Sequence, residues 1–221
     1  MAENKKALII FSRLPIGRET KTRLAPLLNE KEREKLHLLM WEKIFGEVLK
    51  LPDSIDIFLY WTGSGDIQDY RKFIPSSFHL KEQKGINLGE RMNNAMEEIF
   101  NSGYESAAII GSDIPSLKKH NITNAFDILK KFDIVLGASG DGGYWLIGMN
   151  KFIPEAFTIK SWGNSSVLQS TIEKIECLGF TYCFTDTLND IDTPEDIKCA
   201  NIQWSSTSFS DARSPIFSAD I

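Results

Sequence analysis

Ala7-Leu8-Ile9-Ile10-Phe11 runs directly into Ser12-Arg13-Leu14-Pro15-Ile16-Gly17-Arg18-Glu19-Thr20-Lys21-Thr22-Arg23-Leu24. A short, continuous apolar run is the pattern of a strand buried on both faces, which belongs in a parallel sheet covered by helices. The loop behind it carries four cations, Arg13, Arg18, Lys21 and Arg23, within eleven residues. Ligands of open α/β sheets bind at the carboxyl ends of strands, so a phosphate is expected over this loop. Gly17 and Pro15 among the cations argue for a shaped backbone rather than a merely solvated basic loop. A P-loop is excluded, because G-x-x-x-x-G-K-[ST] needs glycines where Pro15 and Thr20 stand.

The charge distribution supports a localised anion site. The chain has 221 residues and a formal net charge of −5. Residues 1–35 hold nine Lys and Arg against five Glu, and the remainder holds 16 against 25. A basic head on an acidic body suits a small phosphorylated ligand and excludes a general nucleic-acid binder, which needs a broad basic face. Cys177, Cys183 and Cys199 form no C-x-x-C and read as reduced, core-filling thiols. The apolar run after Lys5-Lys6 is too short for a signal peptide, and no stretch approaches the ~18 apolar residues of a spanning helix. A cytoplasmic protein without a membrane span is therefore expected.

Outward from the first strand, the periodicity alternates between strand and helix. Asn29 and Glu32 form a capping-box pair ahead of a helix with apolar positions Leu36, Leu39, Met40, Ile44 and Val48. Strands are predicted at Ile55 to Trp61, Phe78 to Leu80, Ala107 to Gly111, Asp133 to Gly137 and Phe180 to Phe184. Helices are predicted from Leu88 to a left-handed cap at Gly103, around 119–130, from Ser165 to Leu178, and from Thr193-Pro194 onward. Tyr144 to Met149 follows its predecessor closely enough to return as a hairpin, an antiparallel intrusion into a βαβ pattern. The whole reads as one α/β domain with a mixed sheet over residues 1–203, followed by a Ser-rich, mobile tail over 204–221.

Further segments can carry chemistry, each with a plainer alternative. Gly111-Ser112-Asp113-Ile114-Pro115 puts a carboxylate at a strand's end, facing the cationic loop, where it could hold Mg²⁺ on a phosphate or simply cap a helix. Gly137-Ala138-Ser139-Gly140-Asp141-Gly142-Gly143-Tyr144 contains a strong hairpin signal, but its glycines exceed what a turn requires and let a ligand approach the backbone. In Asn189-Asp190-Ile191-Asp192-Thr193-Pro194, Asp192 or Thr193 could cap the helix, while Asp190 or Asp192 could supply a second metal carboxylate. Gln83 offers an amide for a base edge and Arg91 a cation for a phosphate. Trp162 resembles part of an ordinary helix entrance. His37, His79 and His120 show no partner pattern and receive no role.

Taken in order, PIGRETKTRLA (15–25), LGERM (88–92), IIGSDIP (109–115), GDGGYWLIG (140–148), WGNSSVLQST (162–171) and DIDTPEDI (190–197) resemble one family. It is the bacterial glycosyltransferase-A-like (GT-A-like) family of rSAM/selenodomain-associated transferases, also described as nucleotide-diphospho-sugar transferases. That family is similar to phospholactate and molybdenum-cofactor guanylyltransferases, and DTPED with the strand-end aspartate also looks like CMP-Kdo synthetase. Ala138 departs from the family's common proline.

The resemblance implies a single-domain, Rossmann-like three-layer sandwich with a mixed, mainly parallel sheet. It implies a nucleotide over the first loop, with Ser12, Arg13, Gly17, Lys21, Arg23, Gln83, Gly89 and Arg91 binding it. Mg²⁺ or Mn²⁺ would rest on Asp113 and Asp192, and Asp141, Gly142, Gly143, Tyr144 and Trp162 would line an acceptor pocket. Lys21, Arg23 and Asp141 are the implied catalytic set. The expected function is metal-dependent glycosyl or nucleotidyl transfer from a nucleotide donor to a small acceptor, by the enzyme alone or as a homodimer. A non-catalytic nucleotide sensor is the alternative. A phosphatase or mutase with Asp113 as nucleophile fits less well, because the only D-x-D-x-[TV] element is Asp190-Ile191-Asp192-Thr193-Pro194, near the C-terminus.

Overall fold

A computed structural model describes residues 5–159, 162 and 165–199. The proposed tail and domain boundary at 203/204, and Gly163-Asn164 of the 162–171 segment, lie outside the described residues. The first strand, β1 (Lys6–Arg13), is central in a seven-stranded sheet, pairing in parallel with β2 (Ile55–Thr62) on one side and β4 (Ser106–Gly111) on the other. Its apolar run alternates between two cores. Leu8 and Ile10 face helices α1 (Glu30–Val48) and α3 (Lys119–Ile128), and Ala7, Ile9 and Phe11 face α2 (Leu88–Asn101) and α4 (Val167–Cys177). Burial on both faces is why the run shows no polar alternation.

The sheet order is β3-β2-β1-β4-β6-β5-β7, with β3 (His79–Glu82), β5 (Ile134–Ala138), β6 (Tyr144–Met149) and β7 (Tyr182–Phe184). The anticipated hairpin is present, and β6 is inserted between β4 and β5, antiparallel to both. The direction of winding changes between β1 and β4, where doubly wound sheets open a crevice at their carboxyl ends. Helices on both faces make the three layers.

Local capping follows the sequence closely. Asn29 accepts from Glu32 N at 3.1 Å while Glu32 accepts from Asn29 N at 2.8 Å, closing the capping box of α1. Gly103 ends α2 with a φ of 86°. Two expectations need correction. Leu39 is 37% exposed, and α1 instead buries His37, Trp41 and Phe45 beside Leu36, Met40, Ile44 and Val48, so its inward face lies one step around the helix. Cys177 is exposed and Cys183 half-buried, so neither fills the core. Three short 3-10 segments, at Thr22–Leu24, Ile67–Phe73 and Pro154–Phe157, had no strong periodic signal. The first is pinned by Leu24, which packs with Leu28, Leu36, Met40, Ile191 and Ile197, tying the β1 loop to α5 (Pro194–Cys199).

Candidate active site

The β1 loop, the β4 end, the β5–β6 turn and the segment before α5 converge on a cleft with two adjoining lobes. One lobe, about 810 Å³, is bordered by Arg13, Lys21, Arg23, Gln83 and Arg91. The other, about 530 Å³, is bordered by Asp141, Gly143, Tyr144, Trp162 and Asp190, over an apolar floor that includes Met92 and Ile147. Arg13, Arg23, Asp113 and Asp192 belong to both, so they form the partition.

At the partition two of the candidate cations, Lys21 and Arg23, each meet a candidate metal carboxylate. Lys21 Nζ lies 2.8 Å from Asp113 Oδ2 and also donates to the carbonyl of Ile191. The backbone of Lys21 is left-handed, with φ 51° and ψ 39°, the only positive-φ non-glycine among the described residues. That conformation costs roughly 1–2 kcal/mol for an L-residue, and the pair with Asp113 helps hold it. Arg23 Nη1 contacts Asp192 Oδ2 at 2.8 Å in a much more open setting. Arg13 is exposed and has no ion pair among the described residues, whereas Arg18 turns away toward Glu19 and Ser64.

The plainer alternatives for the two aspartates can now be judged. Asp113 precedes α3 by several residues and does not cap it. Thr193 and Asp196 cap α5 between them: Asp196 accepts from Thr193 N at 2.6 Å and Asp192 N at 3.0 Å, which leaves the Asp192 carboxylate to Arg23. Burial works to raise the Asp113 pKa, but the charge of Lys21 and hydrogen bonds from Lys21 and Ser112 outweigh it, so the carboxyl sits below its ordinary value. Asp190 behaves oppositely, raised by burial and by repulsion from Asp141 and Asp113.

The β5–β6 turn is shaped by its glycines. Asp141 Oδ1 accepts from Gly143 N at 2.9 Å and from the Ser139 hydroxyl. Gly142 has φ 87°, and a Cβ there would come within 2.2 Å of the Ser165 carbonyl. Its own carbonyl accepts from Leu168 N at 3.0 Å in the first turn of α4. Tyr144 contributes its ring to the lobe, and burial raises its hydroxyl pKa.

Not every residue of the implied set faces the cleft in the same way. Gly17 is packed against Glu30, whose carbonyl a Cβ would approach to 2.0 Å, and borders neither lobe. Gly89 lies beneath the Trp162 indole and borders a separate surface recess. Ser12 is buried with its hydroxyl turned inward, and Gln83 spends its amide nitrogen on the carbonyls of Tyr60 and Ser12. Thr20, His37 and Ser112, buried beneath the partition, were missed from sequence. A histidine inside an amphipathic helix looks like any core histidine until the sheet places it under the loop.

Among the described residues no three His, Cys, Asp or Glu side chains converge into a protein-only metal cage. Mg²⁺ usually takes one or two carboxylates and completes its shell with phosphate oxygens and water, so Asp113 and Asp192 fit an ion that arrives with a phosphate. No helix among them is long and apolar enough to cross a membrane.

A mixed, doubly wound sheet with a bipartite cleft over its switch point defines an α/β protein of the nucleotide-diphospho-sugar transferase-like class. The chain belongs to the family described as uncharacterized protein conserved in bacteria (DUF2064), which matches residues 47–164. A crystal structure from Desulfovibrio desulfuricans G20, described as a nucleotide-diphospho-sugar transferase, superposes with a TM-score of 0.84 at 27% identity, covering 99% of this chain and 94% of that one. The 2-phospho-L-lactate guanylyltransferase of Methanocaldococcus jannaschii is 29% identical over 87% of this chain and 81% of its own length. The protein of the same name from Methanobrevibacter smithii is 32% identical over 61% of this chain, a match spanning only 58% of that relative. The family match begins after the β1 loop and ends before Asp190, so of the four partition residues only Asp113 lies inside it.

Proposed function

We propose that this chain is a metal-dependent nucleotidyltransferase that joins a nucleoside monophosphate, guanosine by preference, to a small phosphorylated acceptor. The observation that carries the proposal is the partition itself: a cation-lined lobe and an Asp141-lined lobe meet at two ion-paired carboxylates. The names of the archaeal relatives support guanosine and a phosphorylated acceptor. An acceptor phosphate oxygen attacks the donor's α-phosphorus, a P–O bond forms there, and the bond to the bridging oxygen breaks to release pyrophosphate. Such transfer depends on positioning and charge neutralisation rather than covalent catalysis.

Arg13 and Arg23 face phosphates at the partition, with Arg91, Gln83 and Ser12 on the donor side. An ammonium has three protons. Lys21 gives one to Asp113 and one to Ile191, and the third is the one offered to the donor. Asp141, Gly142, Gly143, Tyr144 and Trp162 bound the acceptor lobe. Asp113 and Asp192 would hold Mg²⁺ or Mn²⁺, which when bound supplies further charge neutralisation.

The test is product analysis with GTP, Mg²⁺ and a panel of phosphorylated acceptors: pyrophosphate release is expected. Glycosyl transfer is the second reading, favoured by the Desulfovibrio structure, and would release nucleoside diphosphate from a nucleotide sugar instead. Mg²⁺-dependent nucleotide binding without turnover of either kind would identify a sensor.

A further inference from the structure

Beneath the partition lies a set of buried polar side chains of which the proposed reaction uses only Ser12. His37 is 2% exposed, with Nε2 3.0 Å from Ser12 Oγ and Nδ1 hydrogen-bonded to Thr20 Oγ1. Ser12 Oγ is 2.8 Å from Ser112 Oγ and 2.7 Å from Trp41 Nε1, and Ser112 Oγ is 3.2 Å from Asp113 Oδ1. Buried polar groups must be satisfied, and a hydroxyl has one proton and two acceptor sites, so the direction of each bond can be worked out.

Asp113 is an ionised carboxylate paired with Lys21, so it can only accept; the Ser112 proton goes to it. Ser112 must then accept from Ser12, and that uses the single Ser12 proton. Trp41 can only donate and fills one acceptor site on Ser12. The other is left for His37 Nε2, which must carry a proton. Ser12 also approaches the Arg13 carbonyl at 2.8 Å, and this contact is the one that goes unused. His37 Nδ1 then accepts from Thr20, the residue immediately before the left-handed Lys21.

We propose that His37 is a positioning residue: as the neutral Nε2–H tautomer it drives a one-way chain through Ser12 and Ser112 to Asp113 while its Nδ1 fixes Thr20 beside Lys21, so one ring orients both halves of the buried ion pair. Charge agrees with the geometry, since burial pushes the His37 pKa down to about 4. This inference rests on the proposed role of Asp113 and Lys21, but its first test does not.

Nitrogen-15 NMR of the ligand-free protein at neutral pH should show His37 as the Nε2–H tautomer. An Nδ1–H tautomer or an imidazolium would overturn the inference whatever the enzyme does. The second test uses His37→Phe and His37→Gln, whose amide can still donate from the Nε2 position, with GTP plus Mg²⁺ as the titrated probe. Losing a hydrogen bond in a chain that ends on a charged group should weaken binding about tenfold in the Phe variant, and the Gln variant should recover most of it. Equal losses, or a fall in thermal stability without a change in binding, would mean that His37 only fills space. Ser112→Ala cuts the last link with His37 in place and should weaken binding as His37→Phe does. Unchanged binding there would also sink the idea.

Discussion

Two ion pairs of the same nominal length, Lys21–Asp113 and Arg23–Asp192, sit side by side at 2.8 Å and differ mainly in water. The Lys21 side chain is 1% exposed against 37% for Asp113, while Arg23 and Asp192 are 68% and 36% exposed. An exposed pair contributes about 0–1 kcal/mol, because solvent screens it and long side chains lose entropy in forming it. A buried pair adds little net stability either, yet removing one partner strands a charge, which costs about 3–5 kcal/mol. The inner pair is thus fixed architecture, and the outer one is free to exchange partners with a ligand.

The largest effect should come from stranding Lys21. Asp113→Ala leaves its ammonium only the Ile191 carbonyl, and urea unfolding should show a loss of about 3 kcal/mol, the low end because the site borders a cleft. Turnover with GTP and Mg²⁺ should fall by roughly 10²–10³. Lys21→Met should cost less, about 1–2 kcal/mol, because water reaches the carboxylate left behind. Equal costs would mean that water reaches Asp113 no better than it reaches Lys21.

Next is the titration of His37. Its folded pKa of about 4 lies below the ordinary 6.5, so the unfolded chain binds the extra proton between those values. Stability should therefore decline as pH falls through that window, by about 3 kcal/mol in full, and His37→Phe should flatten the slope. Asp113, with its lowered pKa, adds stability above the ordinary carboxyl value that is lost as pH falls through its folded value. Asp190, raised by burial and its acidic neighbours, has the opposite sign: stability falls as pH rises through its window. Asp190→Asn should accordingly stabilise the protein at neutral pH, a gain visible as a higher melting temperature. Smallest of all, Arg23→Ala and Asp192→Ala should each change unfolding free energy by no more than about 1 kcal/mol while still lowering turnover, which separates a functional contact from a structural one.

Much of this was legible beforehand because local rules dominate it. The β1 run, the capping box at Asn29 and Glu32, and the hairpin at Tyr144 each rest on neighbours within a few residues. The motifs lie on loops that the fold brings together, so that Arg13, Lys21, Asp113, Asp141 and Asp192 border one cleft. Less legible was what each residue faces. Gly17, a nucleotide contact by resemblance, borders neither lobe and packs against Glu30, which approaches it through the fold rather than along the chain. The basic head and the acidic body are separate along the chain. The structure instead interleaves them at the partition, where each charge lowers the cost of burying its neighbour.

By itself, then, the sequence determined the strand and helix pattern, the class of sheet and the positions of the charged loops, because periodicity, turn chemistry and composition act over short distances. Only the tertiary structure decided that His37 lies beneath Thr20 and Ser12, that Thr193 with Asp196, rather than Asp192, caps α5, and that Lys21 is buried while Arg23 is not. Those facts depend on segments as far apart as Lys21 and Ile191 meeting in space. Burial and hydrogen-bond partners, which set the energy of a charge, exist only after they meet.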